Sequence, residues 1–344
     1  MMSEMASLDR PCGNLPWRGD AEQLAAAFAE VLAFLADRGM AAGWVALYAD
    51  EPVQAEIVAH LRNIGAWTQW PLLVLTPTHH GHGGLQWIGV PSGRRLHDEG
   101  RVVGIASTGP HGHQVSLCGM TPSGKDDPGA ATETLIERAA HLLQLGGLYW
   151  ADVYRTWYFN HDILGWYDEF NVVRRETYHR FGVDMTRVPA STGIGMDNAD
   201  DAWLTLSLLA ADQPQGAGPV RSPEQNAAAD YGSHFSRAWA PGGPESPIFV
   251  SGTAAIDPAG KTQYLGDFVR QTERTYRVVE AILGERGRGW NDVCRATAYI
   301  RYPQDIPQFL HMEAEGLIPE IGRLVVPSVV CRDDLLFELE VDTF

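Results

Sequence analysis

Asp292-Val293-Cys294-Arg295 opens the run DVCRATAYIRY (292–302), and the same frame, Asp152-Val153-Tyr154-Arg155, opens ADVYRTWYFN (151–160). Both runs read as strands, since β-branched and aromatic residues dominate them. The later run sits in an orderly series: strand 248–257 (IFVSGTAAID), helix 267–287, strand 292–302, helix 306–317, then strands 325–331 and 335–342. Such a series is an α/β unit with helices packed on one face of a sheet. The earlier run has the same neighbours in the same order. They are VSLCGM (115–120), helix 129–145, the strand itself, helix 161–182 closed by Gly182, PASTGIG (189–195) and DAWLTLSLL (201–209). The chain therefore reads as an internal duplication of one α/β unit, each a mixed sheet with helices on one face. The expected division is a degenerate first copy with an N-terminal extension (1–210), a Gly/Pro-rich connection (211–247) and a second copy (248–344).

The extension is assigned to neither copy. Residues 20–37 put Leu24, Phe28, Val31, Leu32 and Leu35 on one helical stripe, with Asp20 as the expected cap. Strands are expected at 43–50, 71–77, 85–90 and 101–106, with a short helix over 53–63.

Composition limits the function. The 344 residues carry 43 Asp and Glu against 26 Lys and Arg, a formal charge of −17. So acidic a chain repels phosphate backbones and anionic lipid, so neither nucleic acid nor membrane is an expected partner. An anionic substrate needs a local group of arginines to overcome that field. The opening residues lack a basic segment followed by an apolar one, and a cytoplasmic location is expected. Cys12, Cys118, Cys294 and Cys331 stand far apart with no CxxC pair, which reads as free thiols and argues against a disulfide framework or structural zinc. His79, His80, His82, His111 and His113 fall in two loops, but no Cys or carboxylate stands at supporting spacing, and no metal is expected. GIG (193–195) lacks the strand–GxGxxG–helix setting of a dinucleotide site.

Aligning the two copies sets Thr205 against Glu338. Glu338 and Glu340 lie on one face of their strand because side chains alternate. They either reach solvent or point into a cleft. In an apolar cleft the charged form is disfavoured, which suits a general acid near neutrality.

FVSGTAAID, GDFVRQTERTYRVVEAIL, DVCRATAYIR and VVCRDDLLFELEV together resemble the RidA/YjgF superfamily, whose small α/β domains form trimers around clefts at their interfaces. RTWYFNHDILGWYDEFN (155–171), PASTGIG, YGSHFSRA (231–238) and CRDDLLFELE (331–340) are similar more narrowly to the chorismatases, two-domain members that release pyruvate from chorismate. The resemblance implies a lyase needing no cofactor, with Glu338 as the acid that protonates the enol-ether methylene. It also implies that Cys331 and Gly252 set the outcome: 3-hydroxybenzoate formers carry Cys and Gly there, and hydrolytic members Ala at both. Arg332 and Arg301 match family arginines. Arg155 and Arg237 are further candidates for the substrate carboxylates, with Tyr231 as a hydrogen-bond partner. Cys331 also reads as a small buried hydrophobe, and each arginine as a surface ion pair. The oligomer implied is a monomer or a homotrimer.

Two departures leave other readings open: Thr297 stands within the penultimate strand where a basic residue is expected, and helix 306–317 carries only His311. The deaminase branch holds a carboxylate with an arginine in the strand that corresponds to 325–330, and none is present there, so imine deamination is not expected. The alternatives are another enzyme of the same fold, acting on a different small enol-ether, enamine or carbonyl compound, or a non-catalytic small-molecule-binding protein.

Overall fold

The computed structural model describes residues 11–17, 21–79, 83–109, 112–122 and 127–344. The second expected copy is built as β14 (Phe249–Ala254), α6 (Phe268–Gly284), β15 (Val293–Ile300), α7 (Ile306–Ala314), β16 (Leu324–Pro327) and β18 (Phe337–Thr343). Their sheet order is β14-β18-β15-β16, with only the β15/β16 pair parallel. Asp267 caps α6, its carboxylate accepting the Arg270 N–H at 3.0 Å, as a short acidic side chain does at a helix start. The helix then buries Thr272, Thr275, Tyr276, Val279 and Ile282 against the sheet, the spacing of one helical face.

The first expected copy repeats this. β7 (Gly112–Met120), α4 (Pro128–Leu145), β8 (Val153–Asn160), α5 (Ile163–Arg180), β9 (Ala190–Gly195) and β11 (Leu204–Ala211) give the order β7-β11-β8-β9, again with one parallel pair. β5 (Arg94–Asp98) and β6 (Arg101–Gly109) extend its outer edge. Gly182 follows α5 with φ +70°, a conformation that costs glycine little. Tyr299 faces Glu338 across β15 and β18, and Phe159 faces Thr205 across β8 and β11, so the two copies agree in register.

The N-terminal extension is a third unit of the same topology. β1 (Cys12–Trp17), α1 (Ala21–Ala36), β2 (Met40–Tyr48), α2 (Glu51–Asn63), the single turn α3 (Ala66–Gln69), β3 (Leu73–Thr76) and β4 (Gly83–Pro91) pair in the order β1-β4-β2-β3, with β2/β3 parallel. Tyr48 faces Gly84 here. Gly84, Thr205 and Glu338 are thus three equivalent positions. Asp20, the expected cap of α1, lies outside the described residues.

The three sheets close on one another. β10 (Asp197–Asn198), just beyond β9, pairs with the edge of β3, and β17 (Val329–Val330), just beyond β16, pairs with the edge of β9. Thr78, just beyond β3, donates its N–H to the Pro327 carbonyl at 3.0 Å. The β3, β9 and β16 edges are thus each met by a neighbouring unit. Every sheet buries one face under its own helices. The opposite faces meet in a shared core containing Trp44, Tyr48, Trp157, Phe159, Phe249 and Tyr299.

Two features differ from expectation. Residues 211–247 are not a free connection, because β12 (Gly218–Val220) and β13 (Ala238–Ala240) join the third sheet beside β14. Cys12 and Cys294 form a disulfide with Cα atoms 6.0 Å apart, correcting their reading as thiols; a separation of 282 residues says nothing of distance once β1 lies against β15. Cys118 and Cys331 are free.

His113 Nδ1 lies 3.1 Å from Asp212, and His80, His82 and His111 fall outside the described residues. Among the described residues no group of three or more His, Cys, Asp or Glu is placed to hold a metal ion, and no helix is long and apolar enough to cross a membrane.

Candidate active site

At the joint between the second and third sheets, β9 runs beside β14 and a pocket opens over the end of β18. The space within it and its open mouth amounts to about 550 Å³. Glu338 forms part of its wall and is only 4% exposed. No described residue donates a hydrogen bond to the Glu338 carboxyl. Burial without such donors disfavours the anion, and the charge of Glu340 adds to this, pushing Glu338 up to about 8. At neutral pH the group is a carboxylic acid facing the pocket.

Gly252 is the reason Glu338 fits. A Cβ at position 252 would lie 1.9 Å from Glu338 Oε1, so any other residue displaces the carboxyl. Cys331 lies on the same wall, its thiol pushed up to about 12 by burial and by Glu338, which keeps it neutral. The Tyr167 hydroxyl, also on the wall, is likewise held neutral by burial.

The cations divide into two groups. Arg332 and Arg237 line the pocket, Arg332 donating to the Gly260 carbonyl and Arg237 to the Asn226 carbonyl at 2.9 and 3.1 Å. Arg155 and Arg301 do not line it. Arg155 is fully buried behind β9, where Nη2 donates to Glu340 at 2.7 Å and Thr192 at 2.8 Å. Arg301 braces the turn that carries Cys331 and Arg332, donating to the carbonyls of Arg332 at 2.8 Å and Val330 at 3.3 Å and to Asp333 at 3.3 Å. Tyr231 ends the short turn Ala228–Tyr231, and its side chain is outside what the structure describes.

Arg174, on α5, is the cation that sequence reading missed. It lines the pocket at 2% exposure, donates to Asn171 at 2.9 Å and Ser191 at 3.4 Å, and has no carboxylate partner among the described residues. Its guanidinium lies over the Phe170 ring at 4.9 Å. A buried cation without a counter-charge is costly unless a ligand supplies one, so it marks a place for an anion. The expectation of basic residues on the helix after the penultimate strand fails because that helix, α7, belongs to a different joint. The helix facing Glu338 is α5 of the preceding unit.

The equivalent joints lack this chemistry. Thr205 is fully buried in place of Glu338, and at Gly84 a Cβ would meet the Leu324 side chain at 2.5 Å, so that joint is filled by leucine.

Fold and site together define an assembly of RidA-like units with a small-molecule pocket where two of them meet. No family model matches the chain. A chorismatase of Streptomyces rapamycinicus is 29% identical over 218 residues, and a 3-hydroxybenzoate synthase of Streptomyces hygroscopicus 26% identical over 215. These alignments take in 57% and 56% of this chain but only 65% and 63% of those relatives. A RutC family protein of Pyrococcus abyssi is 35% identical over 94 residues, which is 27% of this chain and 74% of that one. A crystal structure of a chorismatase superposes with a TM-score of 0.68 at 21% identity, over 88% of this chain and 93% of that one. The chain belongs to the RutC family.

Proposed function

We propose that the chain is a chorismatase-type lyase that converts chorismate into 3-hydroxybenzoate and pyruvate. The supporting observation is the pairing, in one pocket, of a protonated buried carboxyl at Glu338 with the uncompensated guanidinium of Arg174. Chorismate presents a matching pair of features, an enol ether that acid activates and carboxylates that cations anchor.

Glu338 transfers its proton to the enol-ether methylene, and positive charge develops on the ether carbon. The conjugate carboxylate left behind stabilises that cation electrostatically. Arg174 and Arg332 receive the two carboxylates, with Arg237 beside them. Gly252 keeps Glu338 in place, and the neutral thiol of Cys331 lies next to it. The ring carbon–oxygen bond breaks as pyruvate leaves with the ether oxygen, the neighbouring ring hydroxyl oxygen shifts onto the vacated carbon, and a ring proton returns to the Glu338 carboxylate, leaving an aromatic ring. Chorismate holds the same atoms as 3-hydroxybenzoate and pyruvate together, so no cofactor enters the balance. The relatives named chorismatase and 3-hydroxybenzoate synthase support this substrate and this product.

Three units closing within one chain support a monomer over a homotrimer, which sedimentation settles. A cytoplasmic location predicts reduced Cys12 and Cys294 in cells, read by thiol alkylation of freshly lysed material. The activity itself is tested by pyruvate release from chorismate, coupled to NADH oxidation by lactate dehydrogenase. Release above background is expected, and its absence ends this reading.

A further inference from the structure

Glu338 and Glu340 point to the same side of β18, about 7 Å apart along the strand, yet their surroundings are opposite. One oxygen of Glu340 accepts from Arg155 at 2.7 Å and Thr192 at 2.5 Å; the other accepts from Arg295 at 2.8 Å. Arg295 also pairs with Asp342 at 2.6 Å. Two guanidinium groups and two carboxylates are thus buried together, and Glu340 is the charged strand neighbour of Glu338. Thr192 carries the connection further. Its hydroxyl donates to Glu340 and accepts the Gly252 N–H at 3.1 Å, and Gly252 is the residue against which Glu338 Oε1 rests.

We propose that Glu340 is a positioning residue for Glu338: the buried ion cluster built on it sets the field and the orientation met by the neighbouring carboxyl. The proposal rests on the reading of Glu338 as the acid. Six donors keep Glu340 ionised, so it holds its charge while Glu338 holds its proton. That charge opposes ionisation of Glu338, and Arg155 favours it. The other titratable or charged groups facing Glu338 are Tyr299 opposite it on β15, Tyr167 and Arg174 from α5, Cys331 and Arg332 from the turn after β17, and Arg237 from the segment before β13; β9 and β14 contribute none.

Two substitutions therefore shift Glu338 in opposite directions. The readout is an infrared pH titration of the Glu338 carboxyl band, assigned by its loss in Glu338→Gln and measured without substrate. Glu340→Gln is expected to lower the midpoint by at least one pH unit, Arg155→Gln to raise it, and Arg155→Lys to leave it near the parent value. No shift, or shifts of the same sign, overturns the proposal. Should Glu340→Gln fail to fold, the Arg155 pair decides: a midpoint raised by Gln but not by Lys supports the proposal, and equal midpoints overturn it. Because the titration uses no chorismate, its result stands or falls separately from the assigned substrate.

Discussion

Replacing Glu338 by glutamine removes a group that binds a proton more tightly in the folded chain than in the unfolded one. Burial lifts its pKa from 4.5 to about 8. The sign follows from proton counting. Below pH 4.5 both states are protonated and Glu338 contributes no pH dependence. Between pH 4.5 and about 8 the unfolded state releases its proton while the folded state keeps it, so stability falls as pH rises. Above pH 8 the loss is complete. At 1.36 kcal/mol per pH unit, a shift of that size amounts to at most about 5 kcal/mol. Glu338→Gln escapes this loss. Its Tm relative to the parent should therefore rise from pH 5 to about pH 8, by up to about 6 °C for a chain of this length, and level off above that. Differential scanning calorimetry of both proteins across that range measures the difference, and other titrating groups cancel. A Tm difference that stays flat, or falls with pH, would refute the buried-acid assignment.

Three further outcomes are expected. Gly252→Ala should fold but turn the Glu338 carboxyl out of place, lowering kcat for pyruvate release at least tenfold; unchanged kcat would contradict the close fit at Gly252. Arg174→Met should raise KM for chorismate about tenfold or more, equivalent to roughly 1.4 kcal/mol or above, with a smaller effect on kcat; steady-state kinetics separate the two. Reduction of Cys12–Cys294, or Cys12→Ser, should cost about 2–5 kcal/mol, because the bond closes a loop of nearly the whole chain; denaturant titration with and without reductant reads this.

The duplication was legible because two copies keep the Asp-Val-x-Arg frame and the same order of elements. Register then made Glu338 stand out against Thr205, a comparison that needs no coordinates. The first unit escaped because its strand β2, MAAGWVALY, has lost that frame and Gly84 has replaced the acid. Only strand order shows it to be a third copy. Arg174 was hidden for a different reason. It stands more than 160 residues before Glu338, on a helix of another unit, and the two meet only once β17 joins the edge of β9. Arg155 carries the repeat's most visible cation, yet its place behind β9 directs it to Glu340 and away from the pocket. The disulfide is likewise a product of ring closure, which brings β1 against β15.

The most direct measurement is product analysis after incubating chorismate with the parent protein and with Glu338→Gln under identical conditions at neutral pH. The parent should yield 3-hydroxybenzoate and pyruvate in equal amounts, and Glu338→Gln, still folded, should lose at least a hundredfold in rate. Equal rates in the two proteins, or no turnover by the parent, would contradict the assignment of Glu338 as the acid that opens the enol ether.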